Sequence, residues 1–474
     1  MSSVIIVGGG PVGVAMAMNC ARYGFDVTVL EKEQQIHPLP RAIVMDDEVQ
    51  RALTLSGADG LGSVTSPLAG AEFIDSSGTR IIGIDVPDGL LMGSGFPPVV
   101  RYYQPELEQF LRESAFRLGV GLRLGEEVSS VTQTESGVDV ILVSGDTIRG
   151  DWLIAADGAA SPIRKQLGIA FESLGFDQSW LVVDVRLREN FAPELPTHVQ
   201  QICDPARPAT FVPGHNRFRR WEFQLHADES REEMVAEENV WTLLAPWIAP
   251  TEAEIIRAVV YRFHATVAER MRSNRIFIAG DAAHQMPPFL GQGLCTGIRD
   301  AANLPWKLHL FEKGLAGEAL LDTYDGERRP HATRVVAHAA DMGKLIDHLS
   351  RSSQDGNDLS DAYGGQRPFP KLETGFLSGT HPAVGTQASD ITLADGDRFD
   401  AKIGKNFAVV IPQDLSADDE FLEPWKQLDA AIVTGTIPFV DGIVVVRPDR
   451  CIASVSSTED EFRMSTTELM EMLR

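Results

Sequence analysis

RIFIAGDAAHQMPPFLGQGLCTGIRDAANLPWKLHL, residues 275–310, carries one supersecondary unit from end to end. Residues 275–279 are a short apolar run, the mark of a buried strand. Gly280 and Asp281 put an acid at the carboxyl end of that strand. Pro287 followed by Pro288 forces an extended corner. Gly291-Gln292-Gly293 lets the backbone pass close to something flat or anionic. From there Leu294, Ile298, Ala301, Ala302, Leu304 and Leu308 keep a helical period to Leu310, broken only by Pro305. A helix that begins at a glycine turn aims free N–H groups and a positive dipole end at whatever lies before it. Strand, acid, proline corner and helix start describe a cradle for a ring that becomes negatively charged on reduction.

A second unit of this kind opens the chain. Residues 4–7 are a fully apolar strand, GGGPVG occupies residues 8–13, an amphipathic helix runs to Arg22, and residues 27–30 form a strand ending at Glu31. In such a βαβ unit Gly8 makes the tight turn, Gly10 lets the backbone approach a pyrophosphate, and Gly13 lets helix and strand pack closely. Glu31 is placed to accept from ribose hydroxyls, although the glycine spacing alone does not choose FAD over NAD. Arg41 is a candidate counter-charge for a diphosphate. Gln104 starts a helix expected over residues 102–112, where it either lies beside that diphosphate or caps the helix. A third signature, DWLIAADGAASPIRKQL at residues 151–167, ends a buried strand in Asp157-Gly158 and starts a helix at Ser161-Pro162. Capping accounts for Ser161 and Pro162 but not for an acid at the end of a buried strand.

A length of 474 residues predicts two or three domains. Lys+Arg 42 against Asp+Glu 67 gives a net charge of -25, which argues against nucleic acid and anionic membrane as partners. Cys20, Cys203, Cys295 and Cys451 are far apart, so neither a metal site nor a disulfide framework is expected. With a strand starting at Val4 and no apolar run of spanning length, a cytoplasmic protein with reduced thiols is expected.

Between the signature at 151–167 and the stretch at 275–310 the pattern changes to alternation, at residues 180–187, 210–212, 219–225 and 258–263. This predicts a mostly antiparallel sheet inserted between two halves of a nucleotide fold. Trp221, Phe223, Tyr261 and Phe263 alternate with polar neighbours and are expected to form one aromatic wall. A helical run at 324–348 leads to a polar Gly/Ser/Asp-rich loop at 350–365 and then a small α/β unit.

GGGPVG with Glu31, DGAASPIR and GDAAHQMPPFLGQG, in this order and spacing, resemble the single-component FAD-dependent aromatic hydroxylases of the para-hydroxybenzoate hydroxylase type. VYRFHA, RRWEF, WLVVDV and GQGLCTGIRDAANLPWKL look most like the 3-(3-hydroxyphenyl)propionate hydroxylase branch, with Met271 where that branch usually has tryptophan. The resemblance implies an α/β chain with a Rossmann-like FAD-binding domain from residues 1–178 and 265–350. It places the inserted, mostly antiparallel substrate sheet at 179–264 and a small thioredoxin-like domain without redox cysteines at 380–474. It further implies that Gly8, Gly10, Val12 and Gly13 wrap the FAD pyrophosphate, that Glu31 holds the adenosine ribose, and that Lys32 is a cofactor-binding residue beside it in sequence. Arg41 and Gln104 would flank the diphosphate, and Val128 would lie near the adenine. Asp157 supports the cofactor from the third signature, and Asp281 meets its ribityl side. Pro288, Gly291, Gly293, Leu294 and Cys295 surround the flavin ring by backbone, and Arg220 touches it from the substrate sheet.

The implied reaction, at home in aromatic compound catabolism, uses NADH or NADPH and O2 to hydroxylate a phenol, such as a hydroxyphenylpropionate-like acid, through an oxygen adduct at the flavin C4a carbon. The phenol must be made electron-rich, with the Pro288 carbonyl as candidate acceptor and His264 or Tyr261 as candidate proton relays. A reductase or halogenase on the same fold is the alternative, although the halogenase W-x-W-x-I-P signature is missing. A homodimer stays open.

Overall fold

The computed structural model describes residues 1–189, 191, 194–351, 370–415 and 417–474. Ser3–Val7 pairs in parallel with Trp152–Ala155 on one side and Asp26–Glu31 on the other. Gly121–Leu124 and Ile276–Ile278 extend the sheet in parallel, and Arg272–Ser273 closes one edge in antiparallel sense. Continuous apolar runs suit strands covered on both faces, and Ile6, Ile154 and Phe277 are wholly buried. The register sets Val7 beside Ala155 and Ala155 beside Ile278. Gly8, Asp157 and Asp281, far apart in sequence, therefore emerge along one edge of the sheet, where the strands' carboxyl ends open a crevice.

Two long helices carry a proline inside them, and each proline strips a carbonyl of its helical donor. In Gly293–Glu312, Pro305 orphans the Ala301 carbonyl, and Asn19 Nδ2 of the helix Pro11–Arg22 donates to it at 3.0 Å. In Glu318–Arg351, Pro330 orphans the Gly326 carbonyl, and Thr374 Oγ1 donates to it at 2.6 Å. The helical period read across Pro305 survives because a neighbouring side chain replaces the missing N–H.

The second sheet has eight strands, ordered 284–285, 253–268, 171–187, 218–224, 209–212, 199–203, 70–75 and 80–85. Among its described strands, only Val199–Cys203 with Gly70–Asp75 is a parallel pair. The central strands Phe171–Leu187 and Ala253–Ala268 run beyond the expected 179–264, and the hairpin Gly70–Asp85 joins from the amino-terminal third. Arg80–Asp85 is mostly exposed, so no hydrophobic alternation marks it in the sequence. The loop expected at 350–365 lies, from residue 352 onward, outside the described residues.

Residues 370–474 include a four-stranded sheet ordered Ala431–Thr434, Ala408–Ile411, Ile443–Val446 and Ile452–Ser456. The first two strands are parallel and the other pairs antiparallel. Helices Asp419–Gln427 and Glu459–Met472 bury Trp425, Phe462 and Leu469 against a core shared with Trp306 of the first domain. No helix among the described residues is long and apolar enough to cross a membrane.

Candidate active site

At the amino-terminal motif, Gly8 has φ +107°, and a Cβ there would stand 2.2 Å from the Ala156 carbonyl oxygen. A Cβ at Gly13 would meet the Gly8 oxygen at 2.0 Å, whereas one at Gly10 would meet nothing within 4 Å. The loop is thus packed tightly behind and open in front. Val12 and Pro11 begin a helix with no side-chain cap, so its first N–H groups face the open side. Glu31 accepts from Gly9 N at 2.6 Å and from Glu33 N at 2.9 Å. Lys32 points to solvent near Glu33. Gln104 Oε1 accepts from the Arg41 and Ala42 amides at 2.7 and 2.8 Å, so it clamps the backbone that presents Arg41, whose side chain is exposed. Val128, half-buried, starts the strand Val128–Gln133. Arg112, not foreseen from sequence, donates from Nη2 to the Gly9 carbonyl at 3.0 Å.

The other two motifs complete the edge. Asp157 Oδ2 accepts from Ile163 N at 3.2 Å, while its Oδ1 is buried with no partner. Burial raises this carboxyl above its ordinary range. Asp281 lies open to the crevice, has no hydrogen bond among the described residues, and is also raised, because the surrounding walls exclude water more than His284 and Arg41 compensate. Pro288 begins a short turn, and its carbonyl accepts from Gly291 N at 2.8 Å, which leaves its second lone pair uncommitted. The helix then starts at Gly293 without a side-chain cap, leaving the amides of Gly293 and Leu294 for a ligand. Cys295 is buried with Sγ 3.5 Å from the Gly291 carbonyl.

Two buried networks hold that helix start in place. On one side Gln292 and Arg299 converge on Asp46 Oδ2 at 3.0 and 2.7 Å, and Arg299 Nε reaches Glu48 at 2.9 Å. Burial alone would raise Asp46, but the Arg299 charge and hydrogen bonds keep it low. On the other side Asp300 accepts from Gly280 N at 3.0 Å and Arg328 Nε at 2.8 Å, with His284 Nε2 at 2.8 Å. One carboxylate therefore joins the strand end, the helix start and the helix Glu318–Arg351. The charged pair Arg299-Asp300 inside an apolar helical period was the available signal for these partners.

The substrate sheet corrects the expected aromatic wall. Trp180 lies opposite Gln224 and Tyr261, whereas Val183 lies opposite Trp221 and Leu181 opposite Phe223. Trp221 and Phe223 consequently face away, into a core with Met234, Val240 and Leu244 of two short covering helices. Facing the crevice are Trp180, Tyr261 and Phe263, with Asp184, Arg220, Glu222, Gln224 and Arg257 on the same face. Phe289, next to Pro288, packs edge-on against Trp180, Phe176 and Phe263 at 5.1, 6.0 and 6.2 Å. Tyr261 Oη accepts from Arg257 Nη1 at 3.1 Å. His264 is on the opposite face, 44% exposed, 3.7 Å from Asp177, and is not brought to the crevice. Arg220 is buried, pairs with Asp184, and donates to the carbonyls of Arg41 and Pro40 at 2.7 and 2.8 Å. It braces the loop that carries Arg41.

Residues 1–339 match the family model described as "FAD binding domain". The chain is 34% identical over 432 residues to a probable NADH-specific resorcinol 4-hydroxylase of Rhodococcus jostii (strain RHA1), covering 87% of this chain and 80% of the relative. The chain belongs to the FAD-dependent aromatic hydroxylases. It is also 32% identical over 461 residues to a 3-(3-hydroxy-phenyl)propionate/3-hydroxycinnamic acid hydroxylase of Escherichia coli (strain SMS-3-5 / SECEC), covering 91% and 82%. Its fold is shared with aklavinone-11 hydroxylase, solved with FAD and aklavinone, at a TM-score of 0.82, 20% identity and 99% of both chains. For this hydroxylase the cofactor is FAD, and the site's donors and acceptors fit it. An unpaired buried Asp157 Oδ1, an unbonded Asp281 carboxylate and the free space before Gly10 are what a dinucleotide with hydroxyls and a diphosphate would meet.

Proposed function

We propose that this chain is a single-component monooxygenase that takes electrons from NADH and uses O2 to hydroxylate a phenolic aromatic. The observation that carries the reading is the convergence of Gly8, Asp157 and Asp281 on one crevice, with the uncapped helix start at Gly293 facing it. The NADH-specific resorcinol relative supports the electron donor and the substrate class. Bound FAD would supply hydride acceptance and O2 activation. Gly8, Gly10, Val12 and Gly13 would receive its diphosphate, with Arg41 as counter-charge; Glu31 would receive a ribose, and Asp157 and Asp281 further hydroxyls. The amides of Gly293 and Leu294 stabilise negative charge that develops before them. The spare lone pair of the Pro288 carbonyl accepts from the phenol hydroxyl, and Tyr261, held by Arg257, is placed on the crevice face to move its proton. Phe289, Trp180 and Phe263 keep water out.

The domain division at 1–178 with 265–350, 179–264 and 380–474 belongs to the same proposal, with the hairpin Gly70–Asp85 added to the substrate sheet. So does the thioredoxin-like reading of the last unit, which its strand order supports. A homodimer and a cytoplasmic location complete it, for light scattering and fractionation to test. The deciding experiment purifies the full chain, measures bound flavin, and assays NADH oxidation with a panel of phenols while identifying the product. Asp281→Ala is expected to lose FAD. Protein that takes up no FAD, or oxidation that no phenol stimulates, overturns the reading.

A further inference from the structure

Glu222 is a buried acid on the crevice face of the substrate sheet that the chemistry above leaves unused. It stands between Val182 and Thr210 of the flanking strands and is 4% exposed. No hydrogen bond from a described residue reaches its carboxylate, and Arg220 Nη1 is 3.8 Å away. Both oxygens keep some accessible surface, since neither is sealed among the unpaired buried atoms. The neighbouring guanidiniums make their hydrogen bonds to other groups. Arg220 donates to Asp184 through Nε and Nη2 at 2.7 and 3.2 Å and to the Arg41 and Pro40 carbonyls through Nη1 and Nη2, which leaves one N–H on Nη1, the nitrogen 3.8 Å from Glu222, without a hydrogen bond to it. Arg257 donates to Asp184 from Nε at 2.7 Å and to Tyr261 from Nη1. Further along the face, Gln178 and Gln224 both turn to Asp347 of the helix Glu318–Arg351, at 2.8 and 3.1 Å. Two acids, Asp184 and Glu222, balance Arg220 and Arg257, so this group of four offers a ligand carboxylate no net positive charge. Burial, with Asp184 nearby, outweighs Arg220 and Arg257 and lifts Glu222 to about 6, so it is largely ionised at neutral pH.

We propose that the Glu222 carboxylate accepts a hydrogen bond from a hydroxyl of the aromatic substrate and selects uncharged, polyhydroxylated phenols over carboxylated ones. The proposal rests on the monooxygenase reading. A carboxylate that has no protein donor gains a charge-assisted bond from a hydroxyl and repels a second carboxylate at short range. The test compares resorcinol with 3-hydroxybenzoate, which replaces one hydroxyl by a carboxylate on the same ring. FAD-loaded full chain is assayed for ligand binding, through perturbation of the flavin spectrum, and for NADH oxidation. The wild type is expected to prefer resorcinol by at least about tenfold in kcat/KM. In Glu222→Gln the resorcinol KM should rise about tenfold with a smaller change in kcat, the 3-hydroxybenzoate KM should fall, and the preference should collapse. Glu222→Asp keeps the charge and should keep the preference, which separates recognition from a folding defect. A wild type that prefers 3-hydroxybenzoate, or an unchanged ratio in Glu222→Gln, overturns the assignment. Selective binding without stimulated NADH oxidation would instead remove the monooxygenase reading and leave Glu222 as the selector.

Discussion

Replacing Glu327 by Gln should loosen the last unit from the cofactor domain. Glu327 is buried at their junction, on the helix Glu318–Arg351. Its Oε1 accepts from Phe376 N at 2.9 Å and Arg447 Nη1 at 3.0 Å. Its Oε2 accepts from Asn303 Nδ2 at 2.7 Å, Lys307 Nζ at 2.8 Å and Arg447 Nη2 at 2.8 Å. Burial alone would raise the carboxyl, but Arg447 and Lys307 carry it down from the ordinary 4.5 to about 2. At about 1.4 kcal/mol per pH unit, that depression is worth about 3 kcal/mol of stability. Because the folded-state value is the lower one, this contribution is present above pH 4.5 and lost as the pH falls through about 2. Lys307 behaves differently: burial and Arg447 outweigh its one bonded acid and lower it from 10.5 to about 8. Its depressed value means stability rises between about 8 and 10.5, because unfolding must take up a proton that the folded chain has already released. Glu327→Gln keeps the shape and removes the charge, leaving Lys307 and Arg447 with only Asp449 to balance them. The expected loss is about 3 kcal/mol at pH 7 in the first urea transition of the FAD-loaded protein. At pH 9 wild-type Lys307 is largely neutral, so the deficit should shrink. A loss below about 1 kcal/mol at pH 7, or an equal deficit at both pH values, would refute the reasoning.

Gly8→Ala should abolish FAD retention, because φ +107° and the 2.2 Å approach to the Ala156 carbonyl leave no room for a methyl group; flavin absorbance per chain reads this, and full occupancy contradicts it. Arg299→Met removes the cation that holds Asp46 and Gln292, so FAD should dissociate faster on dilution; an unchanged release rate would mean the helix start does not depend on that brace. His264→Ala should leave phenol-stimulated NADH oxidation within about twofold, as expected for an exposed side chain on the far face. Tyr261→Phe should lower kcat and shift its pH profile, and equal behaviour of the two variants would remove Tyr261 from proton transfer.

The convergence of Gly8, Asp157 and Asp281 was legible because each motif is local: an apolar strand that ends in a glycine or an acid. Register then does the rest, as Val7, Ala155 and Ile278 fall side by side. The helix starting near Leu294 was legible for the same reason, but its persistence through Pro305 depends on Asn19, nearly three hundred residues away in the chain, and no local pattern announces that. Strand faces were the harder problem. Alternation at 219–225 separates Trp221 and Phe223 from Arg220, Glu222 and Gln224 without saying which set looks inward. The decision falls to the helices Arg231–Met234 and Glu237–Leu244, which cover the aromatic face and make it ordinary core. The polar set is left facing the crevice, at a burial that Asp184, Arg257 and Asp347 make tolerable. An amphipathic strand in a globular domain normally turns its apolar side to the core, and this one does so by packing outward against helices rather than inward against the cofactor. In a sheet covered on both faces, the row of buried polar residues is therefore the better guide to the substrate, since only a ligand or a matched ion pair offsets the cost of burying it.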